Sequence, residues 1–265
     1  MTDPRSGFRR RLLQIAPPLG VAVAFVALWS VLANTVYAGK VFLLPGPLVV
    51  ADAIGRNAGT IFAATLVTFK EALTGYLAAA VIGIGAAAIM SQSRILERSF
   101  YPYAVLMQTV PVVAVAPLIV LWFGYGETSV IIVSMIISLF PIINNTLLGL
   151  HSASHNLVEL FAMHKADRLT NFRKLRLPGA LPHIIAGLRI SAGLSVVGAI
   201  VGEFLIGSGN SRGGLGVQII FAQGRMDTPL LFAEVIFATM LGFGFFLAVT
   251  LLGRVLIGHW HESAR

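Results

Sequence analysis

Six long apolar stretches, separated by short polar segments, make up most of this 265-residue chain. Hydrophobic residues account for 57% of the sequence and charged residues for 11%. A soluble domain carries about 25% charged residues, so this chain has too little polar surface to face water on all sides. The apolar stretches are residues 14–34, 62–90, 101–123, 128–150, 183–206 and 229–257. Because each reaches the roughly 20 residues that a helix needs to cross a bilayer, the sequence predicts an all-α integral membrane protein. It has six transmembrane helices in one domain, residues 1–265.

Lysine and arginine are distributed unevenly between the two sides of these predicted helices. With the N-terminus placed inside, the basic residues of the inner segments are Arg5, Arg9, Arg10, Arg11, Arg94, Arg98, Lys165, Arg168, Arg173, Lys174, Arg176, Arg254 and Arg265. Those of the outer segments are Lys40, Arg56, Arg212 and Arg225. Because cytoplasmic loops retain Lys and Arg, both termini are predicted to lie in the cytoplasm. We attribute the net charge of +8 to topology rather than to nucleic-acid binding.

The two longer outer segments differ in composition. Residues 35–61 contain the sequence LPGP, which predicts a rigid turn. Residues 207–228 contain the sequence GSGNSRGGLG, which predicts a flexible loop because glycine adopts many backbone conformations.

The sequence gives no support to several classes of function. It has no cysteine, and therefore no disulfide and no thiolate metal site. It also lacks a Gly-x-x-x-x-Gly-Lys-Ser/Thr loop, the standard phosphate-binding loop for ATP. His151 and His155 are spaced to share one helix face, but no third metal ligand is evident. We therefore predict no catalytic residue, no metal site and no cofactor bound by this chain.

The cytoplasmic segment at residues 157–178 carries the most distinctive pattern in the chain. Leu169, Phe172 and Leu175 recur every three residues, which predicts an apolar stripe along a short helix. Asp167 precedes them at a position suited to an N-cap.

The flanks of this predicted helix are basic, and a proline follows it. Pro178 is expected to end the helix, because proline lacks the N–H that a helix interior requires. A short amphipathic helix of this kind fits the groove of a partner protein. Lying flat on anionic membrane lipid is the alternative.

The same segment is similar to the signature loop of the permeases of binding-protein-dependent ABC importers. That loop reads Glu-Ala-Ala, three residues, Gly, nine residues, Ile-x-Leu-Pro. Here Glu159 takes the Glu position, Lys165 the Gly position and Pro178 the Pro position, with the spacing kept throughout. Lysine at the turn either costs about 1 kcal/mol at positive φ or requires another turn geometry.

Other stretches resemble the same family over most of the chain. They are LPGP (44–47), QTVP (108–111), APL (116–118), LWFGYG (121–126), FPI (140–142), ALP (180–182), GLR (187–189) and GGLG (213–216). Together they resemble the subgroup that imports sulfonates, taurine, nitrate, or precursors of thiamine or riboflavin type.

The resemblance implies a type I importer fold and a mechanism. Two copies of the chain form the pore in a bacterial inner membrane. Each copy docks a cytoplasmic coupling helix on one of two separate ATP-binding subunits, which hold ATP and magnesium. A soluble binding protein delivers the solute at the outer face. The coupling residues are expected to be Glu159, Lys165, Arg168, Leu169, Phe172, Arg173, Lys174 and Pro178.

Polar groups within the spans are the candidates for the substrate pathway, since burying a charge in a bilayer is costly. These candidates are Lys70, Gln108, Asn145, Glu203 and Glu234. Each also has a structural alternative. Glu203 could pair with Arg212, Glu234 could lie at a helix N-terminus, and Lys70 could extend towards the membrane surface.

The substrate and the energy source are the remaining choices. EF (203–204) and DTPLLF (227–232) look most like permeases for pyrimidine-type vitamin precursors, while sulfonate, taurine and nitrate stay open. The alternative function is a gradient-driven secondary transporter or channel, which is typically built from internal repeats with broken helices. We find no such repeat in the sequence.

Overall fold

The computed structural model describes the backbone of residues 4–207 and 213–257, and the side chains of residues 16–207 and 213–255. Within these ranges the chain is helical and contains no strand. The helices are α1 (Pro4–Asn34), α2 (Pro47–Met90), α3 (Arg94–Thr109), α4 (Val112–Phe123), α5 (Glu127–His151), α6 (His155–Met163), α7 (Arg168–Asn171), α8 (Leu177–Ile206), α9 (Leu215–Gly224) and α10 (Thr228–Ile257). One π turn (Phe172–Arg176) joins α7 to α8.

The predicted all-α membrane architecture is confirmed. Five helices of the described chain are long and apolar enough to cross a membrane, and the pair α3–α4 makes a sixth span if it is counted as one. The predicted boundaries at 128–150 and 229–257 differ from α5 and α10 by one residue at most at each end.

The third predicted span is not the continuous helix expected at 101–123. α3 and α4 are bent by 101° relative to each other. The break lies at Val110, whose φ and ψ are −71° and 121°. The cause is Pro111, which disfavours helical geometry in the residue before it and supplies no N–H. Pro117 and Pro141, by contrast, lie inside helices that continue past them.

Both segments that were predicted to lie outside contain more helix than expected. α2 begins at Pro47, the last residue of the LPGP sequence, so residues 47–61 are helical apart from a kink at Asn57, whose φ and ψ are −113° and 15°. Proline suits this first helical position, where its missing N–H would have no helical partner. The glycine-rich segment predicted to be flexible leads into α9. Its residues 208–212, including Arg212, lie outside the described part of the chain.

Pro178 does not end the short basic helix, contrary to the prediction. α7, the π turn and α8 form one continuous helical stretch from Arg168 to Ile206. The N–H of Leu177 bonds to the Phe172 carbonyl in the wider π geometry. Because the hydrogen-bond register changes just before Pro178, its missing N–H falls at the start of α8 and the helix continues.

α2, α5 and α8 form the centre of the molecule, and α5 packs most extensively on α8. Small residues allow the close approach of these helices. A Cβ on Gly198 would lie 2.7 Å from the Ser134 Cα, and one on Gly187 would lie 2.9 Å from the Pro141 carbonyl oxygen. The Ser134 hydroxyl donates to the Ser195 carbonyl at 2.9 Å. Small residues and hydroxyl hydrogen bonds are the usual means by which membrane helices associate.

The bundle has two ends of different character. One end, called here the basic end, is formed by the α2–α3 turn and by residues 152–176. The other end, called the α9 end, is formed by residues 35–46 and α9. There the Trp29 indole N–H donates to the Pro45 carbonyl at 3.0 Å, and the Thr228 hydroxyl donates to the Phe42 carbonyl at 2.8 Å.

Candidate translocation site and coupling surface

The break between α3 and α4 opens a cavity of about 420 Å³ against α5 and α8. Gln108 and Asn145, both predicted for the substrate pathway, line it together. Its lining residues are Met107, Gln108, Val110, Val112, Ile136, Ile137, Phe140, Pro141, Asn144, Asn145 and Leu194. No charged side chain is among them, so the cavity presents amide groups, one aromatic ring and aliphatic surface.

The three amide side chains of this cavity differ in how they are used. The Asn145 amide N–H donates to the Pro141 carbonyl at 2.8 Å, which uses one of its polar atoms. The Asn144 side-chain carbonyl accepts from the Tyr101 hydroxyl at 2.9 Å. Gln108 is exposed and makes no hydrogen bond to any residue that the structure describes. Its donor and acceptor are therefore free to meet a solute.

Glu203 lies elsewhere, at the α9 end, and is 1% exposed. Its carboxylate accepts hydrogen bonds from the Thr68 hydroxyl, at 2.7 Å, and from the backbone N–H of Gly216. The Thr68 hydroxyl oxygen in turn accepts from the N–H of Leu215 at 2.8 Å. Helix N-termini favour negative charge, so Glu203 and Thr68 tie the N-terminus of α9 to α8 and α2. We call these residues the α9 anchor.

Glycine makes this anchor possible. A Cβ on Gly216 would lie 2.7 Å from the Ile200 carbonyl oxygen and 2.8 Å from the Glu203 Cβ. A Cβ on Gly214 would collide with the Glu203 carboxylate. The glycines of the GGLG sequence therefore let the backbone reach the carboxylate. The alternative partner considered for Glu203, Arg212, lies outside the described residues.

Lys70 and Glu234 are also away from the cavity. The Lys70 ammonium pairs with the Glu127 carboxylate at 2.8 Å, and both side chains are substantially exposed. Its neighbour Glu71 is buried instead, 5% exposed, as expected for adjacent residues on a helix. Glu234 is fully buried, and neither of its oxygens has a hydrogen-bond partner within the described ranges.

The segment predicted to be cytoplasmic, residues 157–178, folds as helix α6, a tight turn and the continuous helix that begins with α7. Lys165 occupies the turn with φ of 51°. The N–H of Lys165 bonds to the Ala162 carbonyl at 2.9 Å and that of Ala166 to the Phe161 carbonyl at 3.0 Å. This pair of bonds is a Schellman motif. The position that resembles the family's glycine therefore does adopt a left-handed conformation, with lysine in it.

Asp167 is the N-cap of α7, as predicted. Its carboxylate accepts from the Thr170 backbone N–H at 3.3 Å. Hydrogen bonding from Thr170 lowers the pKa of Asp167 below its usual value, because these bonds favour the ionised carboxylate.

The exposed apolar surface of this segment lies mainly on α6 rather than on the predicted stripe. Phe172 packs inward against Leu150 and Ala180, so only Leu169 of that stripe is largely exposed. Leu157, Leu160 and Met163 of α6 are exposed instead. Their spacing of three residues is the sequence signal that could have identified them.

The remaining predicted coupling residues surround this surface or support it. Arg168, Arg173 and Lys174 are exposed on α7 and the π turn. Glu159 is exposed on α6, where its carboxylate lies 2.9 Å from the His155 ring. Pro178 is half-buried in the first turn of α8 and does not contribute to an exposed surface.

Comparison with known protein families matches residues 79–259 to the family described as "Binding-protein-dependent transport system inner membrane component". This chain belongs to that family. It is the permease subunit of an ABC importer and a multi-pass membrane protein, and its helices have the type I permease arrangement that the sequence motifs predicted.

Curated relatives match over almost their whole length. The chain is 34% identical over 253 residues to a riboflavin transport system permease protein of Chloroflexus aurantiacus, covering 93% of this chain and 92% of the relative. It is 32% identical over 249 residues to a formylaminopyrimidine transport permease protein of Halalkalibacterium halodurans, covering 94% and 97%. Among solved structures, "Crystal structure of an amino acid ABC transporter with histidines" matches with a TM-score of 0.58 at 16% identity, over 77% of this chain and 95% of that one. This likeness concerns the fold alone.

Proposed function

We propose that this permease carries a neutral heterocyclic solute of the pyrimidine or riboflavin type, and that its pathway passes the cavity at the α3–α4 break. The observation that carries this proposal is the cavity lining, which offers amide groups and the Phe140 ring but no charge. Planar heterocycles combine hydrogen-bonding edges with an apolar face, and such a site satisfies both. The names of two relatives, for riboflavin and for a formylaminopyrimidine, agree with this class of solute.

Sulfonate, taurine and nitrate suit this cavity less well. Each carries an anionic group, and a buried anion requires a cation or several hydrogen-bond donors to offset its lost hydration. The cavity provides no Lys, Arg or His. Lys70, the basic residue of the second span, lies away from the cavity and is paired with Glu127.

Transport is driven by ATP hydrolysis on two partner subunits that hold ATP and magnesium, and a binding protein supplies the solute. Two copies of the chain form the pathway. α6 contacts the ATP-binding subunit through Leu157, Leu160 and Met163, because these exposed apolar side chains project from a short helix outside the bundle. The exposed basic residues Arg168, Arg173 and Lys174 flank that contact.

Reconstitution tests the solute and the energy source together. The permease is placed in liposomes with its ATP-binding subunit and binding protein, and ATP hydrolysis is measured with riboflavin, pyrimidines, a sulfonate, taurine and nitrate. We expect stimulation by one of the heterocycles and none by the anions. Stimulation by an anion alone would reject the proposed solute class. Uptake by the permease alone, down a gradient and without the ATPase, would instead support a secondary transporter or channel.

The coupling surface is tested by placing a carboxylate on it. Leu160→Asp and Met163→Asp should each weaken co-purification of the ATP-binding subunit about tenfold or more, because an apolar side chain of this size contributes about 1.5–3 kcal/mol when buried. Ser154→Asp is the matched control. It adds the same charge at the N-cap of α6, where Asp is well tolerated, and should leave association unchanged. If all three variants co-purify with the ATP-binding subunit equally well, α6 does not form the contact.

A further inference from the structure

A second and larger cavity, of about 690 Å³, lies at the basic end. It is bounded by the α2–α3 turn with the first turns of α3, by the α5–α6 connection, and by the π turn. Arg94, Arg98 and Arg176 line it, together with a single carboxylate, Glu97. Three guanidinium groups, two from α3 and one from the π turn, therefore line one cavity.

These arginines form no ion pair with the side chains that the structure describes. Among the described residues no ion pair involves Arg94, Arg98 or Arg176. The Glu97 carboxylate, the acidic group of the same lining, lies 3.7 Å from the His151 ring and forms no ion pair with these arginines. Arg94 and Arg98 are four residues apart and so share one face of α3. Arg176 reaches the same cavity from the π turn and is half-buried.

This basic cavity is separate from the proposed docking surface on α6. His155 and Val158 are the α6 residues that line it. At 3.6 residues per turn, their face lies about half a turn around α6 from the face of Leu157, Leu160 and Met163. A partner seated on that apolar face therefore leaves the basic cavity on the opposite side of α6.

We propose that this cavity binds a phosphate-bearing anion. The planar guanidinium fork matches phosphate oxygens in bidentate geometry, and a phosphate monoester carries a charge of about −1.5 to −2 at neutral pH. Ser91 and Ser93 add hydroxyl groups to the same wall. The bound anion bridges α3 and the π turn, and it lies against the face of α6 opposite the docking surface. This binding does not depend on the proposed solute.

The phosphate can come from a lipid headgroup or from a soluble compound, and one titration separates the two. The full-length permease is placed in nanodiscs of phosphatidylcholine and titrated with pyrophosphate at constant ionic strength, and its melting temperature is recorded. A ligand that binds only the folded state raises that temperature in a saturable way. Parallel nanodiscs contain phosphatidylglycerol. If the anionic lipid fills the cavity, the melting temperature is already raised in the phosphatidylglycerol nanodiscs, and pyrophosphate does not raise it further. If the ligand is soluble, the pyrophosphate effect persists in both.

Variants assign the effect to the cavity. Arg94→Gln, Arg98→Gln and Arg176→Gln should each weaken pyrophosphate binding about tenfold, as expected for the loss of a charge-assisted hydrogen bond. Arg173→Gln removes a cation that lines none of this cavity and should change nothing. Glu97→Gln should act in the opposite direction and tighten binding about threefold, since it removes the only negative charge in the lining. This gain cannot arise from damaged folding.

Two results would overturn the proposal. The first is the absence of any saturable shift with pyrophosphate and with anionic lipid. The second is unchanged affinity in the three arginine variants. A cavity that binds neither anion, while its variants lose the ATP-binding subunit, would belong to a protein contact instead.

Discussion

The α9 anchor and the α3–α4 cavity are both polar sites within an apolar bundle, and they use their polar groups in opposite ways. In the anchor, both oxygens of the buried Glu203 carboxylate accept hydrogen bonds from the protein itself. In the cavity, the Gln108 amide faces open space and makes no bond to the described chain. The charged residue thus holds the scaffold together, whereas the neutral amide is available to a solute.

This comparison shows that an ionisable residue in a span can have a structural role, which its hydrogen-bond partners reveal. An ionisable group buried in a membrane protein is costly without compensation. Thr68 and the N-terminus of α9 supply that compensation for Glu203. A carboxylate bonded in this way holds α9 in position, and its burial keeps it from open space.

The largest expected effect comes from breaking the anchor. Glu203→Leu should destabilise the protein by about 2 kcal/mol, because it leaves the buried Gly216 N–H without its acceptor and the Thr68 hydroxyl with only its longer bond to the Ala64 carbonyl. Glu203→Gln should be much milder. Its amide oxygen can accept from Gly216, and its N–H₂ can donate to Thr68, whose hydroxyl then donates to the Ala64 carbonyl at 3.2 Å. Unfolding in detergent measures both variants. Equal losses for Leu and Gln would contradict this account of the network.

The second effect concerns the cavity and should appear in uptake rather than in stability. Gln108→Ala should raise the KM for uptake about tenfold, as expected for the loss of one hydrogen bond to the solute, about 1.4 kcal/mol. Its unfolding should be unchanged, because Gln108 bonds to nothing that the structure describes. Gln223→Ala, at an exposed position on α9, is the matched control. Normal uptake by the Gln108 variant would exclude this residue from the pathway.

The smallest effect is expected at Lys70, the basic residue of the second span. Lys70→Gln removes an exposed pair with Glu127, and exposed pairs contribute at most about 1 kcal/mol. Both stability and uptake should therefore stay close to those of the unaltered protein. A large loss of uptake would show that Lys70 acts on the solute. A charged residue would then belong with Gln108 among the groups that meet the solute.

The sequence predicted several elements correctly because their signals are local. Asp167 caps α7 through a hydrogen bond to a residue three positions away. The spacing of the motif located a turn at Lys165, but the sequence left two geometries open there, and only the structure shows that the left-handed one is adopted. The membrane helices followed from apolar stretches, which depend on composition over about 20 residues.

The predictions that failed depended on neighbours or on hydrogen-bond register. Pro178 was expected to end a helix, but the π turn before it allows α8 to continue. Phe172 was assigned to a partner-facing stripe, yet Leu150 and Ala180 cover it. The third span was predicted as one stretch over 101–123, but it breaks before Pro111. A proline alone does not distinguish a break from a helix that continues, as Pro117 and Pro141 show.

The sequence by itself determined that this chain is a helical membrane protein of the ABC importer permease family, since hydropathy and motif spacing are properties of short segments. Only the tertiary structure decided which polar residues hold the bundle and which face a cavity. Thr68 and Glu203 are 135 positions apart in the chain and form a hydrogen bond. Gln108 and Asn145 line one cavity because the third span is bent at the junction of α3 and α4. The surroundings of a side chain depend on such contacts between distant segments, and so does its role.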